Sequence, residues 1–152
     1  MMQMASGVFI PFLGCSLFVQ QRGEMVSRIY FAKEIPSEPS PLAGDIAAYL
    51  EGKASCPKTE LDMSGCTDFQ KQIYSLVQLI LRGATATYGQ VAERAGHPGA
   101  ARAVGNAMAA NPFAILVPCH RVVSRSGLGG YRWGREMKEK LLWIERENCI
   151  SR

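Results

Sequence analysis

"TATYGQVAERAGHPGAARAVGNAMAANP", residues 85–112, decides how the second half of the chain folds. It reads as two short helices joined by "AGHPG", and two helices linked by a glycine-containing turn make a helix-turn-helix unit. In the second helix, Ala100 to Ala110, seven of the eleven residues are Ala or Gly, and Arg102 carries the only charge. A helix that merely covered a core would present larger apolar side chains. Its slimness predicts a close approach, either to a minor groove about 6 Å wide or to another helix packed tightly against it. Many αα-hairpins bind no DNA, so both readings stand at this level.

Downstream lies "ILVPCHRVVSRSGLGGYRWG", residues 115–134. "AILVP" is expected to be a buried strand or extended run that delivers Cys119 at its end, because Pro118 favours an extended Val117 and removes one backbone donor. A cysteine among apolar residues is more often inert than reactive. A free thiol is only a few per cent ionised at neutral pH, so a nucleophile needs a base or positive surroundings, and His120 and Arg121 supply both. Neighbouring side chains on a strand point to opposite faces. His120 therefore serves Cys119 only if the chain bends there or a water bridges the two. A histidine base also wants a carboxylate on its other nitrogen. The final helix, "REMKEKLLWIERE", offers Glu136, Glu139, Glu145 and Glu147, with Leu141, Leu142 and Ile144 toward the core.

Upstream, Thr67 or Asp68 can cap a helix whose Phe69, Ile73, Leu76, Val77 and Ile80 share a face, with Gly83 as its stop. Before it, "ASCPKTELDMSGC" is irregular, "LAGDIAAYLEGK" has helical spacing through Leu42, Ile46, Tyr49 and Leu50, and "PSEPSP" breaks the chain at residues 36–41. Residues 7–33 alternate apolar, β-branched runs about a turn at "QQRG" and read as antiparallel strands. The fold class expected is α/β in two parts. Residues 1–60 form a small N-terminal α/β domain with antiparallel strands, and residues 67–152 a mostly helical domain with the helix-turn-helix and Cys119.

The 152 residues are 47% hydrophobic and 20% charged, an ordinary globular composition that excludes wholesale disorder. From Met1 to Leu81 there are six Lys/Arg against eight Asp/Glu; from Arg82 to Arg146 there are ten against four. A strongly basic half carries the footprint of a polyanion partner. Five cysteines, at 15, 56, 66, 119 and 149, include no C-x-x-C, and the only histidines are His97 and His120. Neither a disulfide framework nor a zinc ribbon is indicated, and a reducing intracellular setting is expected, with any bridge among Cys15, Cys56, Cys66 and Cys149 left open. "GVFIPFLGCSLFV" is too short to span a bilayer, has no basic run before it and is interrupted by Pro11, so it reads as buried strands and not as an export signal.

"PCHRVV", then "SGLGGYRWGREMKEKLLWIE", with "TYGQVA" and "AARAVGNAMAANP" upstream, resembles the O6-alkylguanine-DNA alkyltransferase family, the methylated-DNA-protein-cysteine methyltransferases. The likeness covers residues 67 to about 146 through several motifs in the same order. Residues 1–60 fit more loosely, as that family's variable N-terminal domain.

The resemblance implies direct-reversal DNA repair. The protein would be a single-turnover, suicide methyltransferase that flips O6-alkylguanine out of the duplex and accepts its alkyl group on Cys119, with O4-alkylthymine a second candidate substrate. It implies His120 as base through a water, Glu145 as the carboxylate that orients it, Asn111 as a brace for the turn, and Tyr88 as donor to the flipped guanine. It implies Arg102 as the finger that enters the duplex, Ala101, Arg121 and Arg125 as further DNA contacts, and a pocket from Tyr131, Arg132, Met108, Gly129 and Gly130. Arg94 and Arg135 join the basic side chains available to phosphates, which position without reading sequence. No metal or organic cofactor is implied. The partner would be double-stranded DNA through the minor groove, with no membrane and a monomeric protein, in the nucleoid-bearing cytoplasm of a prokaryote or the nucleus of a eukaryote.

These roles account for the oddities of the chain. An O6 lesion is out of reach in a stacked duplex, so the base must rotate out at a cost of a few kcal/mol, and an inserted Arg102 offsets part of it. Two features depart from the family's usual pattern: "GLGGY" is one residue shorter, and "LILRGAT" lacks a proline common after the first helix. The absence of N-terminal histidines argues against the zinc some relatives hold. Two rivals are a damage-recognition module without chemistry, which Cys119 speaks against, and a Cys-His acyl hydrolase, which would leave the slim helix and Arg102 without purpose.

Overall fold

The computed structural model describes residues 5–148, so Cys149 lies outside the described residues. The chain forms two compact units: the described residues up to Met63 together with Pro112–Ala114, and Ser64–Asn111 together with Ile115 onward.

The first unit is a four-stranded sheet ordered β3-β2-β1-β4, with one helix. β1 (Ser6–Ile10), β2 (Cys15–Arg22) and β3 (Met25–Ala32) form an antiparallel meander, as the alternation predicts. Pro11 opens the 3₁₀ turn Pro11–Leu13 between β1 and β2, a site where its missing N–H costs nothing. β4 (Glu38–Pro39) adds a short parallel rung to β1. α1 (Pro41–Leu50) starts at Ser40, whose hydroxyl accepts from the Ala43 N–H at 3.1 Å, and buries Ala43, Ile46 and Leu50. Gly7 is needed on β1 because an added Cβ would run into the Leu17 carbonyl oxygen of β2.

The outer edge of β3 is covered by two short pieces of chain. Val26 donates to Glu60 O and accepts from the Asp62 N–H, while Ile29 donates to Pro112 O at 2.8 Å and accepts from the Ala114 N–H at 3.2 Å. Covering an edge in this way blocks unwanted strand pairing. The sequence reading places everything beyond Thr67 in one domain, whereas Pro112–Ala114 return to the first unit. Local patterning cannot reveal such a long-range pairing.

The second unit is mostly helical: α2 (Asp68–Val77), α3 (Tyr88–Arg94), α4 (Ala101–Ala109) and α5 (Arg135–Glu147), with a two-residue parallel pair between β5 (Ala86–Thr87) and β6 (Val122–Val123). Thr67 and Gln70 form a reciprocal capping box at α2, and Thr87 and Gln90 repeat it at α3. α2 ends at Val77, before the predicted stop at Gly83, and its fully buried residues are Ile73, Tyr74 and Val77. The Tyr74 hydroxyl donates to Ala107 O at 2.8 Å, a carbonyl in the last turn of α4 that no residue of the helix can reach.

Among the described residues, no helix is long and apolar enough to cross a membrane, and no group of three or more His, Cys, Asp or Glu side chains is placed to hold a metal.

Candidate active site

The run "AILVP" is not a strand. Ala114 to Val117 form turns, with Ile115 at φ 71°, a left-handed conformation that a β-branched residue rarely adopts, and Cys119–Arg121 form a single 3₁₀ turn. Five consecutive buried apolar residues suit a strand equally well, so composition misleads here. The consequence matters for the chemistry: the chain bends at Cys119, which removes the opposite-face objection to a partnership with His120. Asn111 braces the bend, its amide donating to Val117 O at 2.9 Å.

Cys119 and His120 are both buried, 5% and 0% exposed. Cys119 lies in the wall of a cavity of about 390 Å³, shared with Tyr88, Gly105, Met108, Gly130, Tyr131 and Arg132, a size within the range of small-molecule sites. Behind it, His120 Nε2 lies 3.0 Å from Glu145 Oε1. With Nε2 committed to a carboxylate, Nδ1 is the nitrogen left to accept a proton, and it has no hydrogen-bond partner among the described residues. Of the four candidate glutamates, Glu145 is the one brought to His120; Glu136, Glu139 and Glu147 are exposed.

Burial pushes the Cys119 thiol above its ordinary range, opposed by a hydrogen bond from Asn111 and by the charges of Lys138 and Arg132. Tyr88 begins α3 and is half-buried. Burial raises its phenol too, the Cys119 charge adds to this, and a hydrogen bond with the Gly130 backbone works the other way. Tyr88 is therefore a neutral donor at physiological pH. Gly129 sits at φ 74°, and a Cβ there would lie 2.6 Å from the Tyr88 hydroxyl, so the loop approaches the phenol as closely as glycine alone permits.

One prediction is corrected. Arg121 is not available to a phosphate: its side chain is 4% exposed and its guanidinium is used internally. Nε donates to Glu145 Oε1 at 2.9 Å, Nη2 to Oε2 at 2.6 Å, and Nη1 to Ile80 O at 2.8 Å. A basic residue in a basic half reads as a surface contact, but the 3₁₀ turn swings this one inward. For Glu145, burial alone would raise the carboxyl, yet the adjacent His120 ring and the Arg121 guanidinium outweigh it and hold the pKa down to about 2.

Lys138 was missed by sequence reasoning. It is 0% exposed, and its ammonium donates to Val122 O at 2.7 Å and Gly130 O at 2.9 Å, 5.8 Å from the Tyr88 ring centroid. Burial lowers its pKa to about 8, with the Cys119 charge opposing. A signal existed: Lys138, Leu141, Leu142 and Glu145 fall at i, i+3, i+4 and i+7, one face of α5.

Arg102 is exposed on α4, as are Ala103, Asn106, Ala109 and Ala110, while Val104, Ala107 and Met108 are buried. Ala103, Ala109 and Ala110 thus lie on the slim exposed face, and close packing accounts for Ala107 and for Gly105, which faces the Tyr88 ring. Ala101 is half-buried; Arg94, Arg125, Arg132 and Arg135 are exposed.

Residues 68–147 match the DNA-binding domain of 6-O-methylguanine DNA methyltransferase. A methylated-DNA–protein-cysteine methyltransferase of Mycolicibacterium paratuberculosis is 46% identical over 104 residues, covering 68% of this chain and 62% of that protein. A namesake from Saccharomyces cerevisiae is 48% identical over 86 residues, covering 56% and 46%. The chain thus matches less than two thirds of the length of these curated relatives. Among solved structures, Mycobacterium tuberculosis OGT in complex with DNA superposes with a TM-score of 0.82 at 36% identity, covering 94% of this chain and 92% of that one. The O6-methylguanine-DNA methyltransferase of Pyrococcus kodakaraensis superposes with a TM-score of 0.75 at 29% identity, covering 93% and 99%. A bent Cys-His turn backed by a buried glutamate, on a helix-turn-helix with this likeness along its length, places the chain in the 6-O-methylguanine DNA methyltransferase family.

Proposed function

We propose that the protein repairs O6-alkylguanine in duplex DNA by moving the alkyl group onto Cys119, irreversibly and once per molecule. The observation that carries this reading is Cys119 in the wall of a guanine-scale cavity, backed by His120 and Glu145 and faced by the neutral phenol of Tyr88. Family membership supports it.

Burial disfavours a standing thiolate, so the proton must have somewhere to go, and His120 Nδ1, through a bridging water, is the acceptor. The Cys119 sulfur attacks the O6-alkyl carbon, a carbon–sulfur bond forms, and the carbon–oxygen bond breaks with its electron pair moving onto guanine. Tyr88 donates to the leaving base. The product is a thioether, which no group in the site can reverse. No metal or organic cofactor has a part in these steps.

The DNA face is the exposed side of α4, where Ala103, Asn106, Ala109 and Ala110 present little bulk to a minor groove and Arg102 fills the gap left by the flipped nucleotide. Arg125, Arg94 and Arg135 add phosphate contacts, Ala101 lies along the groove, and the protein acts as a monomer inside the cell. Residues 67–152, apart from Pro112–Ala114, make up the DNA-binding alkyltransferase domain, and residues 1–60 the variable N-terminal domain.

Intact-mass spectrometry after mixing with a duplex holding one O6-methylguanine tests the proposal, with Cys119→Ser alongside. One added methyl per protein, mapped to Cys119 and absent in the variant, is the expected result. An unmodified protein that still binds the duplex would instead mark a damage-recognition module.

A further inference from the structure

Glu145 does not serve His120 alone. Its Oε1 takes both His120 Nε2 at 3.0 Å and Arg121 Nε at 2.9 Å, and its Oε2 takes Arg121 Nη2 at 2.6 Å. The remaining guanidinium nitrogen is tied to Ile80 O, just beyond the end of α2. All three side chains are buried, 0% to 4% exposed, so the charges of this cluster are poorly screened.

Counting those charges gives Arg121 a role. With a neutral imidazole, Glu145 and Arg121 cancel and the cluster carries no net charge. A proton arriving on Nδ1 makes it singly positive, a state that a thiolate at Cys119 compensates. Without Arg121 the cluster would carry a full negative charge at rest, and a proton on the ring would be what neutralises it. An uncompensated buried charge is costly, so Arg121 discourages the ring from holding a proton before Cys119 releases one.

We infer that Arg121 is a positioning residue that, by claiming both oxygens of Glu145, sets how readily His120 takes the Cys119 proton and so holds down the resting thiolate. The inference deepens the alkyl-transfer reading and rests on it for the purpose of the thiolate. A protein that spends itself in one reaction gains from a nucleophile kept quiet toward stray electrophiles. Other groups around the couple act on the sulfur. Lys138 of α5 and Arg132 of the loop before it favour the thiolate, Asn111 hydrogen-bonds to it, and the phenols of Tyr88 on α3 and Tyr74 on α2 feel its charge. Glu145 itself is faced by His120 and Arg121.

The test needs no DNA. The rate of Cys119 alkylation by iodoacetamide is followed against pH by mass spectrometry, on the full chain, for wild type, Arg121→Met and Arg121→Lys. Arg121→Met is expected to lower the midpoint of the pH–rate curve by about one unit, with about tenfold faster labelling below it. Arg121→Lys, which keeps the charge, is expected to stay near wild type. An unchanged or raised midpoint in Arg121→Met would overturn the inference. Should Arg121→Met not fold, the double variant Arg121→Met/Glu145→Gln removes both charges together. Its midpoint is expected at or above that of wild type, and a lowered one would equally overturn the inference. A Cys119 that reacts with iodoacetamide yet takes no methyl from the duplex would sink the repair reading, and the midpoints would still decide the role of Arg121.

Discussion

Glu145 concentrates the energetics of the site in one side chain. Its folded pKa, about 2, lies below the ordinary carboxyl value, so its contribution to stability is fully present above about pH 4.5 and is lost as pH falls from there through about 2. On the order of 3 kcal/mol rides on that ionisation. Urea unfolding between these pH values is expected to show the loss, and Glu145→Gln to flatten that part of the profile. Glu145→Ala, which strands the buried Arg121 charge, is expected to cost about 3–5 kcal/mol at neutral pH. Tyr88→Phe removes the proposed donor to the leaving base while keeping the ring. It should slow methyl transfer about 10²-fold in single-turnover assays and leave iodoacetamide labelling of Cys119 unchanged. At this scale the sequence was informative about identity, through the Cys119-His120 adjacency. It was silent on direction, since nothing local says that Arg121 turns inward while Arg125, four residues on, stays exposed.

Among the elements, α2 and α4 are joined through the Tyr74 hydroxyl on Ala107 O. Tyr74→Phe leaves that end-of-helix carbonyl without its donor and is expected to destabilise the protein by about 1 kcal/mol, read as a lower urea midpoint at unchanged slope. Gly129→Ala pushes a Cβ onto the Tyr88 hydroxyl at a residue with φ 74°. It should cost about 1–3 kcal/mol and displace the phenol, so that transfer slows along with the fall in melting temperature. Capping chemistry made the start of α2 legible through Thr67, whereas the same Thr–Gln signal at Thr87 and Gln90, which starts α3, went unread. "AILVP" was misread because burial and β-branching do not distinguish a buried strand from a buried turn. The deciding fact, Ile115 at a positive φ, is enforced by surroundings that the segment does not encode.

For the molecule as a whole, the basic character of residues 82–146 sets the expected mode of DNA binding. Affinity for an unmodified duplex should fall linearly with the logarithm of salt concentration, and each phosphate contact removed should reduce the slope by about 0.9. Arg125→Ala is expected to do so, while Arg121→Lys is expected to leave the slope unchanged, because a buried guanidinium releases no counterion. The α/β character, the antiparallel meander, the helix-turn-helix and the final helix were all determined by the sequence alone, since each rests on periodicity, capping and turn chemistry within a dozen residues. Tertiary structure alone decided that Pro112–Ala114 pair with β3 and that Arg121 and Lys138 point inward, and it brought to His120 the glutamate, Glu145, that the family resemblance implied but spacing could not choose. Each of these depends on partners outside the segment itself, and burial of a charge is stable only where the fold supplies its counter-charge or hydrogen bonds.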